Sequence, residues 1–155
     1  MLNYHPITNL NISADIGYFF DKTQNFDFGK NQKFNRQAQG ISDLAVGTQY
    51  FLDLFDNYKT TIVPGFKITL PAGQFDQMDG PVVLPIDIQP SSGNFKYEFG
   101  LTFIKTISNQ FTILSANTAE FSQRIQTERT NYKYGNLYNI SLTGIYKFID
   151  ELSIL

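Results

Sequence analysis

The chain has 155 residues, a net charge of −2 from 12 basic and 14 acidic side chains, and no cysteine. That balance leaves no electrostatic footprint for nucleic acid, and the lack of cysteine excludes disulfides and thiolate metal sites. Charged residues make up only 17% of the chain, against roughly 25% in soluble domains, which suits a surface that faces lipid rather than water.

No apolar run approaches the roughly 20 residues of a membrane helix. Barrel strands carry their signal as alternation instead, so the absence of such a run does not argue against a membrane. The opening Met1-Leu2-Asn3-Tyr4-His5-Pro6 lacks a basic region followed by an apolar stretch, so it does not read as a signal peptide. An exported barrel needs one. The expectation is a leader already removed or a start inside a longer reading frame.

Period-2 hydrophobicity marks strand segments at 9–20, 42–54, 58–70, 94–107, 110–122 and 135–149. In the first, Leu10, Ile12, Ala14, Ile16, Tyr18 and Phe20 alternate with Asn11, Ser13, Asp15 and Gly17. In a strand those two sets point to opposite faces. The second sets Leu44, Val46, Tyr50 and Leu52 against Asp43, Ala45, Gly47 and Gln49. The third opposes Tyr58, Ile62, Phe66, Ile68 and Leu70 to Lys59, Thr61, Gly65 and Lys67. Pro64 within it removes a ladder donor, so a bulge or kink is expected there. The fourth sets Phe95, Tyr97, Phe99, Leu101 and Phe103 against Lys96, Glu98, Gly100 and Thr102. In the fifth, Ile113 and Leu114 are adjacent and leave the phase open. The sixth sets Tyr138, Ile140, Leu142 and Tyr146 against Asn139, Ser141, Thr143 and Lys147, and Leu152 begins a seventh strand.

The links between segments sort by length. Those at 55–57, 108–109 and 150–151 are tight turns, whereas 21–41, 71–93 and 123–134 are long and polar. Outer-membrane barrels have this asymmetry, with short periplasmic turns and long outer loops. Spanning strands need about 9–11 residues, which these segments supply, and the average soluble strand is shorter. The expected fold is therefore all-β: an antiparallel up-and-down transmembrane β-barrel with six strands and the start of a seventh. Residues 1–155 form one domain, read as part of a barrel with more strands, because an open sheet in lipid leaves backbone groups unpaired.

The apolar phase carries Tyr18, Phe20, Tyr50, Tyr58, Phe95, Tyr97, Tyr138, Tyr146 and Phe148 toward strand ends, as aromatic girdles require. The opposite phase is small and polar and would make a wet lumen. Asp15, Asp43, Lys59, Lys67, Lys96, Glu98, Glu120 and Lys147 fall on or near it and are the lumen-facing candidates. Rings of charge set ion preference in pores, while mixed charges also simply pair across strands. Their signs nearly cancel, so no strong ion selectivity is expected. Lys105 sits on the outward phase near a short turn, where it can snorkel.

Gly40-Ile41-Ser42-Asp43-Leu44-Ala45-Val46-Gly47 opens a strand, and Thr69-Leu70-Pro71-Ala72-Gly73 follows one hairpin later. With Leu114-Ser115-Ala116-Asn117 before Phe121, this pattern resembles the outer-membrane family named for the meta pathway of phenol degradation. The matches span residues 40–121. The resemblance implies a barrel of about a dozen strands that passes or binds small aromatic or apolar compounds. It carries over no catalytic residue and no cofactor. The chain departs from the family in lacking a signal peptide and the later strands, and its Pro81, Pro85 and Pro90 loop stands outside the pattern.

An enzyme has little to stand on. His5, the single histidine, precedes the first segment and reads as a solvated terminal residue. Asp76-Gln77-Met78-Asp79-Gly80 lacks the alternating oxygen ligands of a calcium loop and reads as a turn closed by Gly80. Arg124, Glu128, Arg129 and Lys133 mark an exposed loop tip that can meet lipopolysaccharide phosphates. The reading is an outer-membrane channel for small solutes, embedded among outer-membrane lipids. Its rivals are a soluble lipocalin-like barrel, with the Phe/Tyr face turned inward around an apolar ligand, and a plugged structural barrel whose loops bind partners.

Overall fold

The computed structural model describes residues 2–27, 33–54, 59–149 and 152–154. Its strands are β1 (Leu2–Ile7), β2 (Leu10–Asp15), β3 (Tyr18–Asp27), β4 (Lys33–Ile41), β5 (Leu44–Tyr50), β6 (Leu52–Leu54) and β7 (Thr60–Leu70). There follow β8 (Met78–Asp79), β9 (Val82–Val83), β10 (Lys96–Thr106), β11 (Phe111–Ser122), β12 (Arg124–Gln126), β13 (Asn131–Lys133), β14 (Leu137–Ile149) and β15 (Leu152–Ile154). The main sheet runs β1-β2-β5-β7-β10-β11-β14-β15, with β6 also on β7. Every pairing is antiparallel between strands that follow one another around the sheet. The fold is the all-β up-and-down meander expected from the alternation.

One strand was not anticipated. β1 pairs with β2 through Leu2↔Ala14 and Tyr4↔Ile12, so His5 lies in an exposed strand and not ahead of the first one. Its short sequence, broken by Pro6, carries too little alternation to be read locally. The expected tight turn at 108–109 is present, closed by Ile107 N to Phe111 O at 2.9 Å. The expected turns at 55–57 and 150–151, Tyr58 and Leu155 lie outside the described residues.

The first and third long polar links form hairpins, whereas the second, 71–93, holds only the short strands β8 and β9. The first is the hairpin β3–β4, which extends the β2–β5 ladder beyond a kink. Between Asp15↔Ala45 and Tyr18↔Ile41 the chain spends residues 16–17 on one side and 42–44 on the other, one extra residue that makes a bulge. There Ser42 N donates to Gly17 O and Gly17 N donates to Ser42 Oγ, both at 2.8 Å. The third link is the tip of a single long hairpin. Arg124↔Lys133 continues the register of Glu120↔Leu137, and Thr127 N closes on Thr130 O at 2.8 Å. The apolar alternation in each hairpin is too short to mark a strand, so projecting hairpins read as loops from composition.

Pro64 falls where the ladder to its neighbour is interrupted. Register runs Gln49↔Gly65 and resumes at Leu52↔Ile62, leaving the β5–β6 break opposite the residue with no N–H. The register is unchanged across the gap. The proline therefore costs a break in pairing without shifting any side chain to the other face.

The sheet itself holds little dry core. The buried apolar cluster Ala38, Leu84 and Ile88 lies off the sheet, where residues 71–95 pack against β4.

Candidate functional site

Exposure along β10 identifies the curvature of the sheet. Phe99 is 54% and Phe103 41% exposed, whereas the smaller Gly100, Thr102 and Ile104 between them are half-buried. Large side chains more exposed than small ones mean that the apolar face is convex and the polar face concave. On the convex face Phe66, Phe99, Phe121 and Tyr138 form a row of rings across β7, β10, β11 and β14, with centroids 5.1, 6.3 and 6.0 Å apart in turn. A second aromatic pair, Tyr146 and Phe148 at 4.8 Å, lies toward the short-turn end. The register resolves the open phase of β11: Leu114 opposes Ile104 on the concave face, and Ile113 opposes Lys105 on the convex one.

The concave face carries a groove of about 250 Å³. Gly65 and Gly100 face each other across β7 and β10 and leave its floor without side chains. Asn11, Gln49, Thr102 and Thr118 offer hydrogen-bonding groups around it, and Asn11 Oδ1 is buried without a partner. At its edge Lys67 Nζ meets Glu98 Oε2 at 2.8 Å.

Above the groove, residues 71–95 fold between the two projecting hairpins. Asp43 anchors this segment: its carboxylate accepts from Ser91 Oγ, Ser92 Oγ and, at 2.9 Å, the Ser92 amide. Lys22 Nζ on β3 donates to Gln89 O at 2.9 Å, and Gln77 Nε2 donates to Gln39 O at 2.8 Å. On the other side Asp76 accepts from Thr127 Oγ1 at 2.7 Å and Thr130 Oγ1 at 2.6 Å at the tip of β12–β13. That engagement accounts for the Asp76 carboxylate, and Gly80 at φ +61° makes the expected turn between β8 and β9. Tyr134 is half-buried beside Lys96, whose Nζ sits 5.1 Å from the ring centroid. Burial pushes the Tyr134 phenol up from its ordinary value, and Tyr132, Asp43 and Asp87 add to it.

The sequence-selected charges divide by height. Lys67, Glu98 and Glu120 share one row of the concave face, through Glu98↔Lys67 and Glu98↔Glu120. Asp15 and Lys96 lie one inward position nearer the hairpins, and Asp43 is taken up by the anchored segment. Lys59 and Lys147 are at the opposite end, where Lys59 O accepts from Thr106 N and Lys147 N donates to Gln110 O. The eight residues therefore do not form one cluster.

Sequence reasoning missed an apolar subset of the same face. Val63, Ile104, Leu114 and Ile145 all have concave phase by register. Each sits beside an outward apolar residue in the chain, in the doublets Ile62-Val63, Phe103-Ile104, Ile113-Leu114 and Ile145-Tyr146. Those doublets were the available signal; taken one strand at a time they look like noise in the alternation.

A curved antiparallel meander with an apolar convex face, aromatic rows and a polar concave face is the architecture of an outer-membrane-type β-barrel. Among solved structures the chain is similar in fold to an outer membrane channel from Pseudomonas putida F1, with a TM-score of 0.59 and 12% sequence identity. The match covers 96% of this chain and 52% of that one, so the chain spans about half the length of the channel it matches. No protein-family model and no curated protein matches the chain.

Proposed function

We propose that the chain is part of an outer-membrane channel that passes or holds small molecules in a polar lumen, without catalysis. The observation that carries the reading is the opposition of the two faces: exposed Phe and Tyr rows outside, and the Lys67–Glu98 groove inside. Similarity in fold to a channel of about twice the length supports a larger barrel, of about a dozen strands, to which this sheet contributes. The resemblance to the meta-pathway family supports the same placement. Asp15, Lys59, Lys67, Lys96, Glu98, Glu120 and Lys147 then line the passage, while Asp43 holds the segment over its mouth. Arg124 and Lys133, opposite each other on the β12–β13 hairpin, are suited to lipopolysaccharide phosphates at the outer leaflet. A soluble lipocalin-like barrel needs the Phe/Tyr face enclosed, and the exposure of that face speaks against it.

The test is reconstitution of the full chain in planar bilayers. Stepwise ion conductance is expected, and Lys67→Glu should shift ion preference toward cations. Absence of conductance in inserted protein would favour a structural barrel with a plugged lumen, a reading supported by the segment 71–95 anchored above the groove.

A further inference from the structure

The apolar residues of the concave face form a continuous band. Ile104 and Leu114 are direct cross-strand partners. Val63 opposes Thr102, one inward position from Ile104, and Ile145 opposes Thr112, one inward position from Leu114. Diagonal neighbours of this kind lie roughly 7–8 Å apart, with their Cβ atoms somewhat closer. The band thus crosses β7, β10, β11 and β14 without a gap.

Its course distinguishes a hoop from a stripe along the strands. Val63 is 3 positions from the strand end at Thr60, Ile104 is 2 from that at Thr106, Leu114 is 3 from that at Phe111, and Ile145 is 4 from that at Ile149. The band stays within 2–4 positions of these strand ends while the register steps toward them from β7 to β14. Strands in a barrel tilt by roughly 35–45°, so a ring perpendicular to the axis must step along the register in this way. Charged side chains of the face lie on either side: Lys67, Glu98 and Glu120 above, and Asp53, Lys59 and Lys147 below. Val63, at 5% exposure, is the most enclosed residue of the band.

We infer that Val63, Ile104, Leu114 and Ile145 form an apolar collar that sets specificity in the lumen, admitting uncharged solutes and holding the conductance of hydrated ions low. The inference rests on the lumen reading above. Branched apolar walls offer an ion no replacement for its hydration shell, and hydrophobic constrictions close to ions by dewetting. The charged rows above and below then attract and orient polar ends of a solute and set the preference of the small ion current that crosses the band.

The experiment is ion conductance and liposome uptake of uncharged solutes by the reconstituted full chain and its Leu114→Thr and Ile104→Thr variants. Threonine already occupies neighbouring concave positions at Thr112 and Thr143 and suits a strand, so folding should be retained. A several-fold rise in KCl conductance in each variant, with uptake of uncharged solutes changed less, is the expected result. Conductance within twofold of the unaltered protein overturns the collar. Because the chain has no cysteine, Thr102→Cys on the same face reports the lumen itself. If it reacts with a membrane-impermeant thiol reagent while the collar variants conduct as before, the collar alone has failed. If it does not react, the lumen reading has failed and the collar with it.

Discussion

Lys67 and Glu98 face each other directly across the β7–β10 ladder and form an ion pair of 2.8 Å, with Glu120 next along the same row. The row thus carries one cation and two carboxylates, with Glu98 between Lys67 and Glu120. Both partners of the pair are partly exposed, at 41% and 26%, so its net contribution to stability is about 0–1 kcal/mol. Lys67→Ala should leave the melting of the folded protein nearly unchanged. It should shift the reversal potential in a salt gradient toward cation preference. A large loss of stability would mean that the pair is a structural clamp instead.

The convex face makes a prediction about lipid. Leu142 is 76% exposed near the middle of β14, and Ser141 beside it points to the concave face. Leu142→Arg should cost about 2–4 kcal/mol in folding into lipid vesicles, and Ser141→Arg much less. Equal tolerance at both positions, measured by urea titration in vesicles, would remove the membrane assignment of that face.

Asp43 accepts three hydrogen bonds from Ser91 and Ser92, the donors that hold residues 71–95 over the groove. Bonds to an ionised acceptor contribute about 1.5–3 kcal/mol each when fully desolvated, and less at this half-buried site. Asp43→Asn should speed hydrogen exchange at the Ser92 amide by roughly tenfold, with the β10–β11 ladder unaffected. Unchanged exchange would show that the segment is held by its apolar contacts alone.

Two glycines in that segment separate strain from crowding. Gly93 has φ +69°, and a Cβ there would lie 2.5–2.7 Å from atoms of the Phe75 ring; Gly80 has φ +61° with open space around it. Gly80→Ala should cost about 1–2 kcal/mol from the left-handed backbone alone. Gly93→Ala adds displacement of Phe75 and should make the segment far more sensitive to limited proteolysis. Equal sensitivity in the two variants would contradict the packing of Phe75.

Tyr134 supplies a pH dependence. Its phenol is raised above 10.0 by burial and by Tyr132, Asp43 and Asp87, so the folded state favours the neutral form. Packing around Tyr134 is therefore fully present below pH 10 and is lost as pH rises through the higher folded value. Absorbance titration near 295 nm should show one late phenol that is missing in Tyr134→Phe. A titration unaltered by that substitution would assign the late phenol elsewhere.

Much of the sheet was legible because side-chain direction in a strand is a local property with a period of two. The exposed apolar phase of β10 and β14 and the polar phase holding Lys67 and Glu98 follow from that period alone. β11 resisted, since Ile113-Leu114 satisfies either phase until β10 and β14 impose a register on it. The projecting hairpins were misread as loops for a related reason: β3–β4 is largely polar beyond Phe20 and β12–β13 offers a single apolar pair, Ile125↔Tyr132, so pairing rather than patterning makes them strands.

Residue order by itself therefore determined the fold class, the tight turn after Ile107 and the separation of an apolar from a polar face. Each depends on neighbours along the chain. Only the tertiary structure decided that Asp43 grips a serine pair far along the chain, that Glu98 stands between Lys67 and Glu120, and that apolar residues from separate strands fall at one height. Those relationships are set by register between strands distant in sequence, and register is fixed by the whole ladder of backbone pairs at once.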